Sequence, residues 1–274
     1  DIATSAKPEE ILKLFTESFY ENKFLTVTVR TGSDDPALAE IEVTTYRAEG
    51  KYTDKRHPDE VRFASTLEED LSRRDFTINA MAARLINMRL EITDPFEGQK
   101  DLKNKCIRAV GEPTKRFEED ALRMIRAVRF AARFEFEIDA ETAHALGENA
   151  AWIRAIAKER VRDELVKMIE DAHAMRALEL LHDRKLLHYI IPELEEGIGI
   201  DQRGPHKYTV WEHNLRALQY AVDHDWPYQV RLAALFHDVG KPRTRVRRGG
   251  IWTFYGHDVV GAKMAYEILT RLRF

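Results

Sequence analysis

Near Thr114 the hydrophobic period of the chain changes, and that change restricts it to a fold that keeps its strands and its long helices in separate parts. Ahead of it, residues 24–29 and 41–46 are β-branched and alternate in polarity, so they read as strands, with a turn at Thr31–Pro36 between them. Leu90–Thr93 offers a further short strand, and residues 8–20 read as a helix with Ser5 as cap and Pro8 in its first turn. Beyond Thr114, Leu122, Ile125, Val128 and Ala132 recur at helical spacing. The remainder is mostly helix, with breaks near Gly147, Ile191–Pro192, Gly197–Pro205 and Gly249–Gly250. The expected class is α+β: a mixed-sheet head over 1–112, an all-α region over 113–200 and a last helical domain over 201–274.

Composition excludes several classes. With 44% hydrophobic and 33% charged residues, the chain has the apolar content of a folded protein, so disorder along its length is excluded. No apolar run approaches the roughly 18 residues of a membrane span, and no basic segment followed by an apolar one opens the chain. A single cysteine, Cys106, rules out an internal disulfide framework and fits a reducing compartment, so the expected location is the cytoplasm. The net charge of −4 excludes a globally basic nucleic-acid wrapper, but two islands are basic. Residues 103–133 hold nine basic against four acidic side chains, and Lys241, Arg243, Arg245, Arg247 and Arg248 form a second cluster. Such islands suit RNA phosphates read by shape, while a solvated charged face is the better account of any single lysine.

Two runs carry nucleotide chemistry. Asp70-Leu-Ser-Arg-Arg-Asp-Phe-Thr-Ile-Asn79 places Arg73, Arg74, Asp75, Thr77 and Asn79 within seven positions. Arginines fork onto phosphate oxygens, a carboxylate accepts a ribose hydroxyl, and Asn serves either group. The same run also reads as the start of a helix capped by Asp75, with solvated arginines. In the second run, residues 116–130, a continuous helix would set Arg116, Asp120, Arg123 and Arg126 on one side, opposite Leu122, Ile125 and Val128. Asp120 and Arg123, three apart, would then offer an acceptor and a double donor to the edge of a base, or simply pair as ions on the surface.

Taken in order, these segments resemble the class II tRNA nucleotidyltransferase and bacterial poly(A) polymerase family, and within it the CCA-adding enzymes. Asp1-Ile-Ala-Thr-Ser-Ala-Lys-Pro-Glu9 is similar to the tail of the family's catalytic motif, and Glu42–Arg47 with Tyr52–Val61 to the strand and loop that follow. Arg73–Ala80 resembles the ribose-recognition motif, Asp94–Leu102 the hinge-like motif, Glu119–Arg123 the nucleotide-selecting motif and Glu159–Leu165 the last, structural motif. The resemblance implies a palm-like sheet in the head and transfer of C, C and A to the tRNA acceptor end from CTP and ATP. It implies that Asp1 binds Mg2+ and that Glu42 sits at the third palm carboxylate. It assigns ribose and triphosphate to Arg74, Asp75 and Asn79, base selection to Asp120 and Arg123, and support of the phosphates or of that pair to Arg116 and Arg126. The family's Gly-Gly segment and first carboxylate are expected ahead of Asp1, and a Gly-rich turn near Lys23–Phe24. Their absence makes the expected chain incomplete, and inactive as written because two-metal transfer needs both carboxylates.

A second constellation is histidine-rich. His213, the pair His237-Asp238 within Ala233–Lys241, and His257 within Tyr255–Asp258 resemble the HD phosphohydrolase superfamily. The resemblance makes His213, His237 and Asp238 the ligands of a divalent transition metal (Ni2+, Co2+ or Mn2+), or else leaves a metal-free structural unit. A distal fourth ligand, an Asp, is expected beyond Phe274. Alternative readings are an A-adding enzyme or poly(A) polymerase of the same family, an HD-type phosphohydrolase with an RNA-binding head, and a non-catalytic RNA-binding module. Arg47–Val61 argues against an enzyme that adds only CC, in which this loop is expected to be short.

Overall fold

A computed structural model of the chain describes residues 2–21, 26–49, 61–202 and 207–274. The chain divides into two compact units, Asp1–Lys100 with Ala109–Gly111, and Asp101–Arg108 with Glu112–Phe274. The class is α+β, with a sheet-bearing head, a helical region and a terminal helical segment.

In the first unit, β1 (Ile2–Thr4), β2 (Ser18–Glu21), β3 (Thr26–Arg30) and β4 (Glu40–Thr45) form one sheet in the order β1-β4-β3-β2. β1 runs parallel to β4, and the other pairs are antiparallel. Val27 opposes Val43, and with Val29 they bury one face of the sheet against Ile11 of α1 (Pro8–Leu14). Alternation therefore sends Glu42 to the other face, where it is exposed opposite Thr28.

The helix expected over 8–20 is shorter in the structure. α1 stops at Leu14, and Ser18–Glu21 pairs with β3, because this β-prone stretch meets a free strand edge. The start of α1 is fixed by Glu10, whose carboxylate accepts the Lys7 N–H at 2.7 Å, and not by Ser5.

The first unit continues with the pair β5 (Arg47–Glu49) and β6 (Val61–Phe63), then α2 (Leu67–Ser72) and a 3-10 turn at Thr77–Asn79. β7 (Ala82–Ile86) and β8 (Arg89–Thr93) make a hairpin. β7 was not anticipated: its alanines, arginine and leucine favour helix, and its turn residues Asn87 and Met88 reach positive φ without a glycine. Leu71, Ala80 and Val110 form the second core cluster of this unit.

α3 (Gly98–Lys103) runs across the division between the units. The second unit opens with β9 (Cys106–Ile107), which pairs in parallel with β10 (Glu137–Ile138). Between them lie α4 (Pro113–Glu119) and α5 (Leu122–Phe134). α6 (Ala140–Asn149), α7 (Lys158–Glu170), α8 (Ala174–Asp183), α9 (Leu187–Ile190) and α10 (Pro192–Glu195) follow. α5 packs on α7 and α8, and Ile125, Val128, Leu165 and Leu178 are fully buried. The break expected near Gly147 falls two residues on, where α6 ends at Asn149 and the 3-10 helix Ala150–Ala155 follows.

The last stretch comprises α11 (Val210–Asp223), α12 (Tyr228–Phe236), α13 (Lys241–Thr244), the hairpin β11 (Val246–Arg248) and β12 (Ile251–Thr253), and α14 (His257–Arg271). Gly249 and Gly250, both at positive φ, are the two-residue turn of that hairpin, so this break is a reversal between strands.

Candidate functional site

In the first unit the arginines after α2 converge on a carboxylate that carried no expected role. Asp70 is 2% exposed and receives Arg73 at 3.0 Å, Arg74 at 3.5 Å and the Arg47 N–H at 3.1 Å. Asp75 is also buried, and its Oδ1 accepts the Phe76 N–H at 2.9 Å and the Asn79 side-chain amide at 3.1 Å. Arg74 donates to the Asn79 carbonyl at 3.2 Å, so Arg74, Asp75 and Asn79 form one connected group around the 3-10 turn. The helix start read at Asp75 is only the 3-10 turn Thr77–Asn79, whose N-cap position is Phe76.

Gly98 closes this group from behind. A Cβ there would lie 2.3 Å from the Thr77 carbonyl, so only glycine permits the approach. Asp94 holds that segment by accepting the Gly98 and Gln99 N–H groups at 2.7 and 2.9 Å. Burial would raise the Asp94 pKa, but these backbone donors outweigh it and hold the carboxyl below its usual value. Glu42 stands exposed on β4, and Asp1 lies outside the described residues, as do Lys23–Phe24 and most of the 47–61 loop.

In the second unit the expected continuous helix is interrupted. α4 ends at Glu119, Asp120 is extended with φ −148° and ψ 103°, and α5 restarts at Leu122. The Asp120 carboxylate accepts the Leu122 N–H at 3.1 Å, and this local bond competes with helix continuation. Asp120 is therefore not an i,i+3 helical partner of Arg123. Arg160 of α7 grips it with two bonds of 3.1 and 2.7 Å.

Glu119 bridges Arg116 and Arg123, and Arg123 also donates to the Arg116 carbonyl at 3.1 Å. Arg126 lies 5.2 Å over the Phe130 ring. A carboxylate has about four lone-pair sites; Arg160 and Leu122 engage three on Asp120, which leaves acceptor capacity for one more donor. Behind this turn, Arg129 and Glu164 form a buried pair at 2.6 Å that Lys167 completes at 2.9 Å. Glu119, Arg160, Arg129 and Glu164 all belong to the local arrangement although no site role fell to them in the sequence. Arg160 lies 40 positions from Asp120, beyond the reach of any local pattern.

Three expected ligands do come together at the end of the chain. His213 on α11 and His237 at the end of α12 bring their Nε2 atoms to 3.0 Å, and each lies 3.3 Å from Asp238 Oδ2. All three donor atoms lie within 4.8 Å of one another, a set that fits one divalent transition metal. His237 Nδ1 faces the Ala234 carbonyl at 2.7 Å, which orients the ring. The Asp238 side chain raises the His237 pKa, with burial opposing it. Burial would raise Asp238, but His237 and Lys241 hold it well below the ordinary range.

Two neighbours carried no ligand role in the sequence. His257 Nε2 lies 3.5 Å from Asp238 Oδ1, and Lys241 Nζ donates to Asp238 Oδ2 at 2.6 Å and to Gln202 at 2.6 Å. Gly240 lets α14 approach, because a Cβ there would meet the His257 carbonyl at 2.3 Å. Of the other histidines, His182 and His188 share Glu195 at 2.7 and 3.3 Å, while His57 and His206 lie outside the described residues.

Comparison with known proteins adds three domain matches. Residues 1–108 match the poly A polymerase head domain, 135–198 the probable RNA and SrmB-binding site of polymerase A, and 210–274 the HD domain. The chain is 46% identical over 187 residues to a CCA-adding enzyme of Lactobacillus helveticus, covering 68% of this chain and 45% of that one. It is 40% identical over 224 residues to a CCA-adding enzyme of Listeria monocytogenes, covering 81% and 53%. The chain thus spans about half the length of these relatives.

Among solved structures, the Bacillus stearothermophilus CCA-adding enzyme in complex with CTP matches 99% of this chain and 73% of its own, with TM-score 0.58 and 26% identity. A tRNA nucleotidyltransferase complexed with a primer tRNA and an incoming ATP analog matches 85% of this chain and 64% of its own, with TM-score 0.62 and 25% identity.

Proposed function

The chain belongs to the tRNA nucleotidyltransferase and poly(A) polymerase family, and on that premise we propose that its full-length protein adds C, C and A to tRNA 3′ ends from CTP and ATP. The observation that carries this reading is the fixed Asp120 carboxylate, which keeps one acceptor site beside the turn that bears Arg123. Cytosine and adenine both present an exocyclic amino donor beside a ring acceptor. Asp120 accepts the amino group, Arg123 donates to the ring, and Glu119 and Arg160 hold the pair in place. Uracil and guanine present a carbonyl where that amino group would be, and would set an acceptor against Asp120.

Asp75 accepts a ribose hydroxyl, with Asn79 and Arg74 beside it for the sugar or triphosphate. Arg116 supports Arg123 through Glu119, and Arg126 serves the phosphates. Asp1 and Glu42 would hold Mg2+, whose charge, when bound, stabilises the triphosphate undergoing attack. The tRNA acceptor end is the RNA partner and the cytoplasm the site of action. Among the described residues no helix is long and apolar enough to cross a membrane. By role, the division is a catalytic head over 1–112, a nucleotide-selecting and RNA-binding region over 113–200 and an HD-like domain over 201–274.

The test is single-turnover incorporation by the full-length protein on a tRNA lacking its terminal CCA. Two C residues followed by one A, with UTP and GTP refused, support the reading. A lengthening A tail overturns it in favour of a poly(A) polymerase. The His213, His237 and Asp238 cluster favours a second activity, hydrolysis of a phosphate ester by the HD-like domain with a transition metal bound.

A further inference from the structure

The basic cluster 241–248 separates into two kinds of residue. Lys241 is bound to Asp238 and Gln202, and Arg243 forks onto Glu196 at 2.8 and 2.6 Å, so both are used internally. Arg245, Arg247 and Arg248 meet no carboxylate among the described residues. Each faces an aromatic ring instead. The Arg245 guanidinium lies 4.1 Å from the centre of Trp252, and its Nε is buried without a hydrogen-bond partner. Arg247, directly opposite Trp252 in the β11–β12 register, lies 6.0 Å from the same ring. Arg248 lies 5.6 Å from Tyr255, which is 74% exposed.

The stem of this hairpin is tied to the histidine cluster at both ends. Lys241, four residues before Arg245, holds Asp238, and His257, two residues after Tyr255, places its Nε2 3.5 Å from Asp238 Oδ1 while its Nδ1 faces the Phe254 carbonyl at 2.8 Å. Guanidinium groups that meet no carboxylate, beside the exposed ring of Tyr255, match a flexible strand, whose bases can swing out to stack, better than the closed edges of a duplex. Phosphates answer the charge, and base faces answer the rings.

We propose that the β11–β12 hairpin with Tyr255 is a single-stranded RNA platform that brings a strand to the His213, His237, Asp238 and His257 cluster. The inference rests on the reading of this protein as an RNA-processing enzyme, but it assigns the hairpin a contact separate from nucleotide selection. A single strand, and not the duplex acceptor stem, is its ligand.

The test is equilibrium binding of a fluorescein-labelled ten-residue oligo(U) to the 274-residue chain without CTP or ATP, across a salt series. Its failure is thereby distinguishable from a failure of the transferase reading, which incorporation assays decide. Arg247→Ala with Arg248→Ala should weaken binding roughly tenfold at low salt and flatten the salt slope by about 1.4, the value for two single-strand phosphate contacts. Tyr255→Ala should weaken it at least about fivefold, and Tyr255→Phe should restore it, as expected for stacking. Tyr255 is so exposed that neither change threatens the fold, and matching melting curves verify that. Equal affinity for a 20-base-pair RNA duplex, indifference to Tyr255→Ala, or poly-glutamate competing as well as oligo(U) would each overturn the proposal.

Discussion

Arg160 holds Asp120 by a two-bond fork, so base choice should depend on a residue that no base needs to touch. Asp120→Ala is expected to admit UTP, because the carboxylate that leaves uracil mismatched is gone. The lost discrimination, about 1–3 kcal/mol for one mispaired buried polar group, is read as the CTP/UTP ratio of kcat/KM in single-nucleotide incorporation. Arg160→Lys should erode the same ratio, since an ammonium cannot reproduce the fork, and leave the preference for ribonucleotides intact. Asp75→Ala should do the reverse and relax rejection of dCTP, while the CTP/UTP ratio stands. An unchanged dCTP/CTP ratio would reduce Asp75 to a support for the Asn79 turn. At this scale the sequence disclosed the residue types but not their pairings. Arg74, Asp75 and Asn79 lie within six positions, and they meet. Asp120 and Arg123 are just as near, yet their carboxylate and guanidinium turn to Arg160 and Glu119, because the bond from Asp120 to the Leu122 N–H ends the helix that would have paired them.

Helices and strands show the same division between local and distant causes. β3 and β4 were legible because alternation of β-branched residues encodes both a strand and its buried face. The end of α1 and the existence of β7 are not legible in the sequence, because both follow from strand partners, which composition does not record. Two predictions concern how helices meet. Gly240→Ala pushes a methyl group into the backbone of α14, which has no rotamer to yield, and should cost about 1–3 kcal/mol, measured as a lower Tm. Glu164 joins α5 to α7 through Arg129. Burial alone would raise its pKa, but Lys167 and Arg129 hold it below the ordinary carboxylate value. A depressed native pKa means that the stabilisation is present at neutral pH and fades as pH falls from about 4.5 through the native value. Melting followed from pH 6 to pH 3 should show that fade in the wild type and a shallower one in Glu164→Gln. At pH 7 the variant should be about 3–5 kcal/mol less stable, because Arg129 is left buried without its charge partner.

Over the whole molecule, the histidine cluster and the nucleotide motifs draw on different residues, so their chemistries should be separable. His237→Ala is expected to abolish binding of Ni2+, Co2+ or Mn2+, measured by metal analysis after dialysis, together with any phosphate-ester hydrolysis. Incorporation of CTP and ATP should persist in the full-length variant. A variant that loses metal but keeps hydrolysing would place that activity elsewhere. The chain's route through the two units has another effect. The head does not finish with its own contiguous stretch: the chain leaves at Asp101, and Ala109–Gly111 returns to supply Val110 to the cluster of Leu71 and Ala80. Val110 follows Leu71 by 39 positions, so on a ribosome moving at about 5–20 residues per second that cluster stays open for roughly 2–8 s after Leu71 is made. Until Val110 is made, Leu71 and Ala80 lack that partner, so a chaperone that binds apolar segments would find in the unfinished head a surface that the folded chain buries completely.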